Sequence, residues 1–410
     1  MNQSGQSYDL AIVGGGLVGA SLAVALRTTR LRVALIEAHA PDSAAQPSFD
    51  ERTTALGNAS RRIFEALGLW DMLSPAAAPI TDIHVSDAGR FGFSRLAARE
   101  FGQQALGYVV PNRVLGRELW GALQSSEAIC AFMPARLTAL QVEDAQARLQ
   151  VQTGTGEVQL SARLVVAADG AQSLVREAAG LSASVDDYHQ VAIVASLRTD
   201  QPNDGTAYER FTAAGPMALL PLAFAGEPCW RTLVWAARPD EAQRLMQLDD
   251  SAFLAAWQSA FGWRAGRGLR LGRRARYPLA LSRSERAVAK RIVLLGNAAQ
   301  SLHPVAGQGF NLGLRDAAAL VDLLAQSQKD PGGDELLAQY AAQRAADRDG
   351  VVAFTDNLVR LFSTHHPVAA VGRDLGLLLF DLLPPAKRAL SRVSLGFGAH
   401  TPRLARGASV

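Results

Sequence analysis

Apolar runs broken by glycine set the pattern of the N-terminal part of the chain. Tyr8-Asp9-Leu10-Ala11-Ile12-Val13 reads as a buried parallel strand. Gly14-Gly15-Gly16-Leu17-Val18-Gly19 follows at once, and an Ala/Leu/Val-rich helix is predicted to run to about Thr28. A second strand, from Arg32 to Ile36, ends at Glu37. Leu164-Val165-Val166-Ala167-Ala168 is another buried strand, leading into Asp169-Gly170 and a helix closed by Gly180. Ile292-Val293-Leu294-Leu295 repeats the pattern, and a helix is predicted from the following glycine-rich loop to about Leu324. Elsewhere the period changes to two. Ile80 to Val85 alternates, with Gly89 and Gly92 punctuating a hairpin-like stretch, and residues 183–275 are strand-like and rich in turn residues. Residues 334–398 look helical again.

The chain of 410 residues is long enough for two or three domains. At 49% hydrophobic and 19% charged residues, it is neither disordered nor collagen-like. Two distant cysteines, Cys130 and Cys229, exclude a disulfide scaffold and read as small buried hydrophobes. His365-His366 has no further ligand at metal spacing, so no metal site is expected. The stretch from Leu10 to Leu26 is broken by glycines and too short to span a membrane, and no basic segment precedes it as in a secretion signal. A cytoplasmic protein is the expectation.

Net charge is only +3, but it is unevenly placed. Residues 264–291 hold ten Arg/Lys and one acid, and residues 376–410 hold five and one. Arg270, Arg274 and Arg276 share one face of a period-two pattern. They form either a solvated strand face or a docking surface for an acidic partner or an anionic membrane. No recognition module accompanies the charge, so nucleic acid is not an expected partner. The apolar stretch Gly376 to Pro385, followed by Lys387, Arg388 and Arg392, is either a packed helix or a peripheral contact to the inner face of the cell membrane.

Candidate chemistry starts at the glycines. A G-x-G-x-x-G between a strand and a helix, with an acid closing the next strand, is the dinucleotide fingerprint. Gly14 allows the tight turn, Gly16 lets backbone approach a pyrophosphate, and Gly19 lets helix and strand pack closely. The helix N-terminus offers free N–H groups to phosphates, and Glu37 is placed to accept from a ribose diol. This motif alone does not separate FAD from NAD.

Three motifs together resemble a known family. Gly14-x-Gly16-x-x-Gly19…Glu37, Asp169-Gly170-x-x-Ser173-x-x-Arg176, and Gly296-Asn297-Ala298-Ala299…Pro304-x-x-Gly307-Gln308-Gly309-Phe310-Asn311 look like the FAD-dependent aromatic hydroxylases. His303-Pro304 and the run after Gly307 are similar to their ubiquinone-biosynthesis branch, as are Asp50 to Leu56, Val109 to Leu115 and Ala214-Gly215-Pro216. Most relatives carry Gly-Asp where this chain has Gly296-Asn297. Asparagine loses the charge but still accepts a hydrogen bond.

The resemblance implies an α/β fold like that of para-hydroxybenzoate hydroxylase. A discontinuous Rossmann-like FAD-binding domain (1–77, 106–182, 276–330) carries an inserted β-sheet substrate domain (78–105, 183–275) and a C-terminal helical region (331–410). It also implies roles. Gly14, Gly16, Leu17, Val18 and Gly19 would surround the FAD pyrophosphate, with Glu37 at the adenosine ribose. Arg52 and Asn112 would touch the adenylate or ribityl portion, Asp169 and Gly170 the pyrophosphate, and Asn297 the ribityl chain. Pro304, Gly307, Gln308, Gly309, Phe310 and Asn311 would line the isoalloxazine ring. The implied activity is hydroxylation of a polyprenylated phenol of the 2-polyprenyl-6-methoxyphenol type in ubiquinone synthesis, through a flavin C4a-hydroperoxide. NADH or NADPH is the transient reductant and O2 the co-substrate. Other ring hydroxylations of that pathway, or a flavin-stabilised scaffold subunit contacting other ubiquinone-biosynthesis proteins, are the alternatives. Phe211, Met217, Leu219, Leu220, Pro221, Leu222, Trp230 and Trp235 are either a greasy substrate pocket or plain sheet core. Tyr188, His189 and Tyr208 lie in the same region, but no catalytic base is identifiable.

Overall fold

The computed structural model describes residues 6–408, apart from 41–42, 44–45, 47–48, 90–91, 125, 213, 225, 327–328 and 364–400. The apolar runs of the first motifs pair as parallel strands. Ile292–Leu294, the C-terminal part of Gly156–Ala167, Gln6–Val13, Val33–Ile36 and Ile129–Phe132 lie side by side in that order. Helices Leu17–Leu26 and Gln308–Gln326 pack on this sheet, and their apolar faces join the strands in one core. The short sheet of Thr53–Gly57, Ala78–Ile80 and Gly107–Pro111 flanks it.

A nine-stranded sheet forms the second layer. Along its main path Gln300–Ser301, Ala275–Ser284, Ala183–Thr199, Trp230–Ala237, Gly215–Pro221, Thr206–Thr212, Asp82–Asp87 and Phe93–Ala97 follow one another. The predicted hairpin is the antiparallel pair Asp82–Asp87 and Phe93–Ala97.

This layer departs from the sequence reading at two places. Pro239–Gln247 and Asp250–Phe261 are helices, not strands. The Asp249 carboxylate caps the second by accepting from the Ala252 N–H, and Phe253, Trp257 and Phe261 recur at helical spacing and are buried. In addition, Ala275–Ser284 belongs to the second sheet, which therefore extends past residue 275.

The two helices seal one face of the sheet. Ile193, Met217, Leu219, Leu233 and Trp235 point into them and are almost fully buried. The opposite face turns toward the flavin-motif layer. The long helix Asp334–Ser363 packs on Gln308–Gln326 and supplies the start of the expected C-terminal helical region. The apolar stretch from Gly376 to Pro385, and His365-His366, lie outside the described residues. Among the described residues no helix is long and apolar enough to cross a membrane.

Candidate functional site

Four parallel strands end in register. Val13 pairs with both Ile36 and Ala167, and Ala167 pairs with Leu294. The chain therefore delivers Gly14, Glu37, Asp169 and Asn297 just beyond one row of strand ends, which is where open α/β sheets bind ligands. The buried strands give way there to partly exposed Gly14, Asp169 and Gly170 and to exposed Asn297. The carboxyl edge is thus open while the core below it is closed.

Backbone shape makes the first turn obligatory. Gly14 has φ +101°, and a Cβ there would lie 2.3 Å from the Ala168 carbonyl oxygen. A Cβ on Gly19 would lie 1.9 Å from the Gly14 oxygen. Gly16 caps helix Leu17–Leu26 without a side-chain hydrogen bond, and the first turn carries no acid, so its N–H groups stay open to an anion. Leu17 and Val18 are part-exposed at that opening. Glu37 is buried. It accepts from the Gly15 N–H at 2.6 Å through Oε2 and from the His39 N–H at 2.8 Å through Oε1. Trp120, which the sequence reading did not single out, donates its indole N–H to the Gly15 oxygen at 3.1 Å and braces the turn.

The other predicted residues divide between the open edge and its scaffold. Asp169 accepts from the Val175 N–H at 3.2 Å through Oδ2, while its buried Oδ1 has no partner among the described residues. Burial pushes its pKa up. Gln308 opens helix Gln308–Gln326 and is buried, and a Cβ added to Gly309 would meet open space. Pro304 is exposed and Gly307 part-exposed on the loop before it. Phe310 stacks on Phe64 at 6.4 Å, so its ring is core. Asn311 is a clamp. Its Oδ1 accepts from the Gly57 N–H and Ser60 hydroxyl, and its Nδ2 donates to the Ala55 and Gly307 oxygens, all within 2.9 Å. The amide is saturated, so only the Asn311 backbone remains for a ligand. Asn311→Asp removes two donors that face carbonyls, and is expected to cost about 2–3 kcal/mol in a denaturant unfolding series.

Arg52 and Asn112 are tied into the protein. Arg52 pairs with Asp50 at 2.8 Å and stacks over the Tyr277 ring, whose hydroxyl donates to Asp50. Asn112 is buried and accepts from the Thr54 hydroxyl at 2.7 Å.

His303 joins the two layers. Its Nδ1 accepts from the Val305 N–H at 3.1 Å, so Nε2 carries the proton toward Gln190 Oε1, also at 3.1 Å. Burial drops its pKa to about 4, which keeps the ring neutral. Tyr188 stands edge-on to it and donates to Asp356.

Of the two readings of the apolar set, Met217, Leu219 and Trp235 take sheet core, since they face the sealing helices, and Tyr208 packs with Phe261 on that side too. Two sequence expectations change. The chain bulges out of strand between Leu271 and Ala275, and Arg274 turns inward to donate to the Leu245 oxygen at 3.0 Å. The three-arginine face is therefore not continuous. Cys130 is exposed and Cys229 half-exposed rather than buried, because Cys130 sits on an edge strand. Among the described residues no cluster of His, Cys, Asp or Glu could hold a metal.

The FAD binding domain family matches residues 7–355. The chain belongs to that family. Over 97% of its length it is 39% identical to the ubiquinone hydroxylase UbiL of Rhodospirillum rubrum, of which it covers 92%. It is 32% identical to the 3-demethoxyubiquinol 3-hydroxylase of Escherichia coli, over 95% of this chain and 99% of that one. Its fold matches p-nitrophenol 4-monooxygenase PnpA of Pseudomonas putida with a TM-score of 0.80, at 16% identity over 96% of this chain and 100% of that one. These findings place the protein among the FAD-dependent aromatic hydroxylases, a class that takes electrons from NADH or NADPH and oxygen from O2. The residues present fit the cofactor. An uncapped helix N-terminus suits a diphosphate, and an orphaned buried carboxylate oxygen and a buried glutamate suit hydroxyl donors.

Proposed function

We propose that the protein hydroxylates the aromatic ring of a polyprenylated phenol, of the 2-polyprenyl-6-methoxyphenol type, on the route to ubiquinone. The observation that carries this reading is the open face of the second sheet. From Ala275 the register runs through Val194, Val234, Ala218 and Glu209 to Val85. All but Glu209 are small or apolar, and all but Val194 keep partial exposure in mid-sheet. Such a floor suits an apolar substrate above a ring-binding loop. The names of the similar proteins point to the same substrate class.

Gly14, Gly16, Leu17, Val18 and Gly19 would hold the FAD pyrophosphate through backbone N–H groups, with Asp169 and Gly170 beside it. Glu37 would accept from the adenosine ribose, and Arg52 and Asn112 would lie along the adenylate or ribityl portion. Asn297 would bond the ribityl chain. The segment Pro304 to Asn311 would border the isoalloxazine, with the N–H groups of Gly309, Phe310 and Asn311 at its pyrimidine edge. When bound, the flavin supplies reductive activation of O2 and delivery of an electrophilic oxygen. The chain's own share is to orient the phenol, exclude water and handle its proton. Neutral His303 fixes the loop to the substrate sheet through Gln190 and adds no charge beside the ring.

The flavin-loaded protein, given NADH or NADPH, O2 and a short-tailed prenylphenol, is expected to oxidise reductant faster and to yield a product one oxygen heavier by mass spectrometry. Stimulated oxidation that ends only in hydrogen peroxide across a panel of such phenols would oppose the reading.

A further inference from the structure

The open sheet face holds an acid, Glu209, in an apolar setting that the cofactor motifs leave unused. Glu209 lies mid-strand in Thr206–Thr212, paired with Val85 on one side and Ala218 on the other. Side chains alternate along this strand. Tyr208 turns toward the sealed face with Phe261 and His84, and Arg210 toward Ala260 and Ser86. Ala207, Glu209 and Phe211 therefore turn the other way.

Their neighbours locate the carboxylate. Phe211 and Val85 share an apolar cluster with Val305 of the loop before helix Gln308–Gln326. Ala207 shares another with Ala55 of the strand that the Asn311 clamp holds. Val234, further along the row, clusters with Tyr188, which stands against His303. Glu209 thus sits between contacts that join the substrate sheet to the loop Pro304–Gly307. It is half-buried on that face, with apolar clusters on either side of it.

No hydrogen bond or ion pair satisfies this carboxylate among the described residues. Ionisable groups on the elements packed around Glu209 are Asp87 on the neighbouring strand, His303, Tyr188 with Asp356 and Arg360, and Tyr277 with Asp50 and Arg52. Asp356, Arg360, Tyr277, Asp50 and Arg52 pair with one another in those groups, and His303 is neutral. Burial alone lifts the pKa of Glu209 to about 7. An acid with no partner in an apolar setting is costly to keep, and a value near working pH is what a general base needs.

We propose that Glu209 is the catalytic base that takes the phenol proton of the substrate. This rests on the hydroxylase reading above. The substrate O–H bond breaks, its proton passes to a Glu209 carboxylate oxygen, and the bonding pair stays on the phenol oxygen. The ring, now electron-rich, forms a C–O bond to one oxygen of the reduced O2 unit as the O–O bond breaks, and becomes a ring ketone bearing the new hydroxyl. Glu209 then returns its proton to the ketone oxygen while the ring C–H proton passes to the second oxygen, which leaves as water, and aromaticity is restored. In the net reaction, ring C–H, O2, NAD(P)H and one proton give ring C–OH, NAD(P)+ and water.

The test uses the full flavin-loaded chain and a prenylphenol substrate. In the native protein kcat/KM for product should rise with pH through an inflection near 7, because the base must be deprotonated. E209Q keeps the shape and removes the base. Its kcat/KM should fall about 100-fold, with the inflection gone and flavin content unchanged. E209D should retain the inflection. Infrared titration without substrate gives a separate reading: a carboxyl C=O band should vanish as pH rises through 7 in the native protein and be missing in E209Q. Native kcat/KM and pH profile in E209Q, or no carboxyl titrating near 7, would overturn the proposal. If the native protein makes no hydroxylated product, the hydroxylase reading fails instead, and the infrared arm still decides how Glu209 titrates.

Discussion

Gly19→Ala is expected to purify with little or no flavin. The added Cβ would lie 1.9 Å from the Gly14 oxygen, where real Cβ atoms keep at least 3.0 Å, with the Gly14 carbonyl carbon at 3.0 Å and the Ala168 Cβ at 3.1 Å. Helix Leu17–Leu26 must lift off the strand or the Gly14 turn must unwind. Overpacking of this kind costs about 1–3 kcal/mol. Each 1.4 kcal/mol is a factor of ten, so FAD affinity should fall roughly 10- to 100-fold. Fluorescence titration of the apoprotein with FAD measures it. Gly121→Ala is the control. Its Cβ would meet nothing within 4 Å, in the helix Asn112–Gln124, so affinity should stay native. Equal FAD affinity in the two variants would contradict the packing account of the fingerprint.

Arg344→Met should be the most destabilising single change outside the cofactor edge. Arg344 is almost fully buried and donates to Asp316 and Asp347, each at 2.6 Å. Arg315 also pairs with Asp347 at 2.9 Å, and the Gln300 amide donates to Asp316 at 3.1 Å. This network ties helix Gln308–Gln326 to helix Asp334–Ser363. Burial opposes the charge on Asp347, but the two guanidiniums outweigh it and hold its pKa below the usual carboxylate range. That stabilisation is present at neutral pH and is lost as pH falls through the depressed value. Removing Arg344 strands Asp316 as a buried charge at a cost of about 3–5 kcal/mol. Denaturant midpoints measure it. Asp316→Leu combined with Arg344→Met removes both charges, and should cost less than the sum of the two single changes. Strict additivity would show that the pair does not interact.

The row of strand-end residues was legible because each of them follows an apolar run. Gly14, Glu37, Asp169 and Asn297 all stand just after buried strands, and parallel register alone brings them to one row. The second layer was less legible. Phe253, Trp257 and Phe261 carried a helical period, but flanking turn residues made the region read as strand. Which sheet face is pocket depends on where those helices pack, so Met217 and Phe211 looked alike in sequence and lie on opposite faces. Glu209 had no sequence signal. An acid in a strand reads as a solvated position until its partners, Val85 and Ala218, are known. Arg274 was misplaced because a bulge breaks its period.

The account stands on a flavin whose oxygen-delivering ring meets a phenol over the open sheet face. Turnover of the flavin-loaded protein under 18O2, with a prenylphenol and NAD(P)H in ordinary water, tests that most directly. One 18O atom in the new ring hydroxyl is the predicted result. Hydroxyl oxygen drawn from water, or a ring left unchanged while 18O-labelled peroxide accumulates, would contradict it.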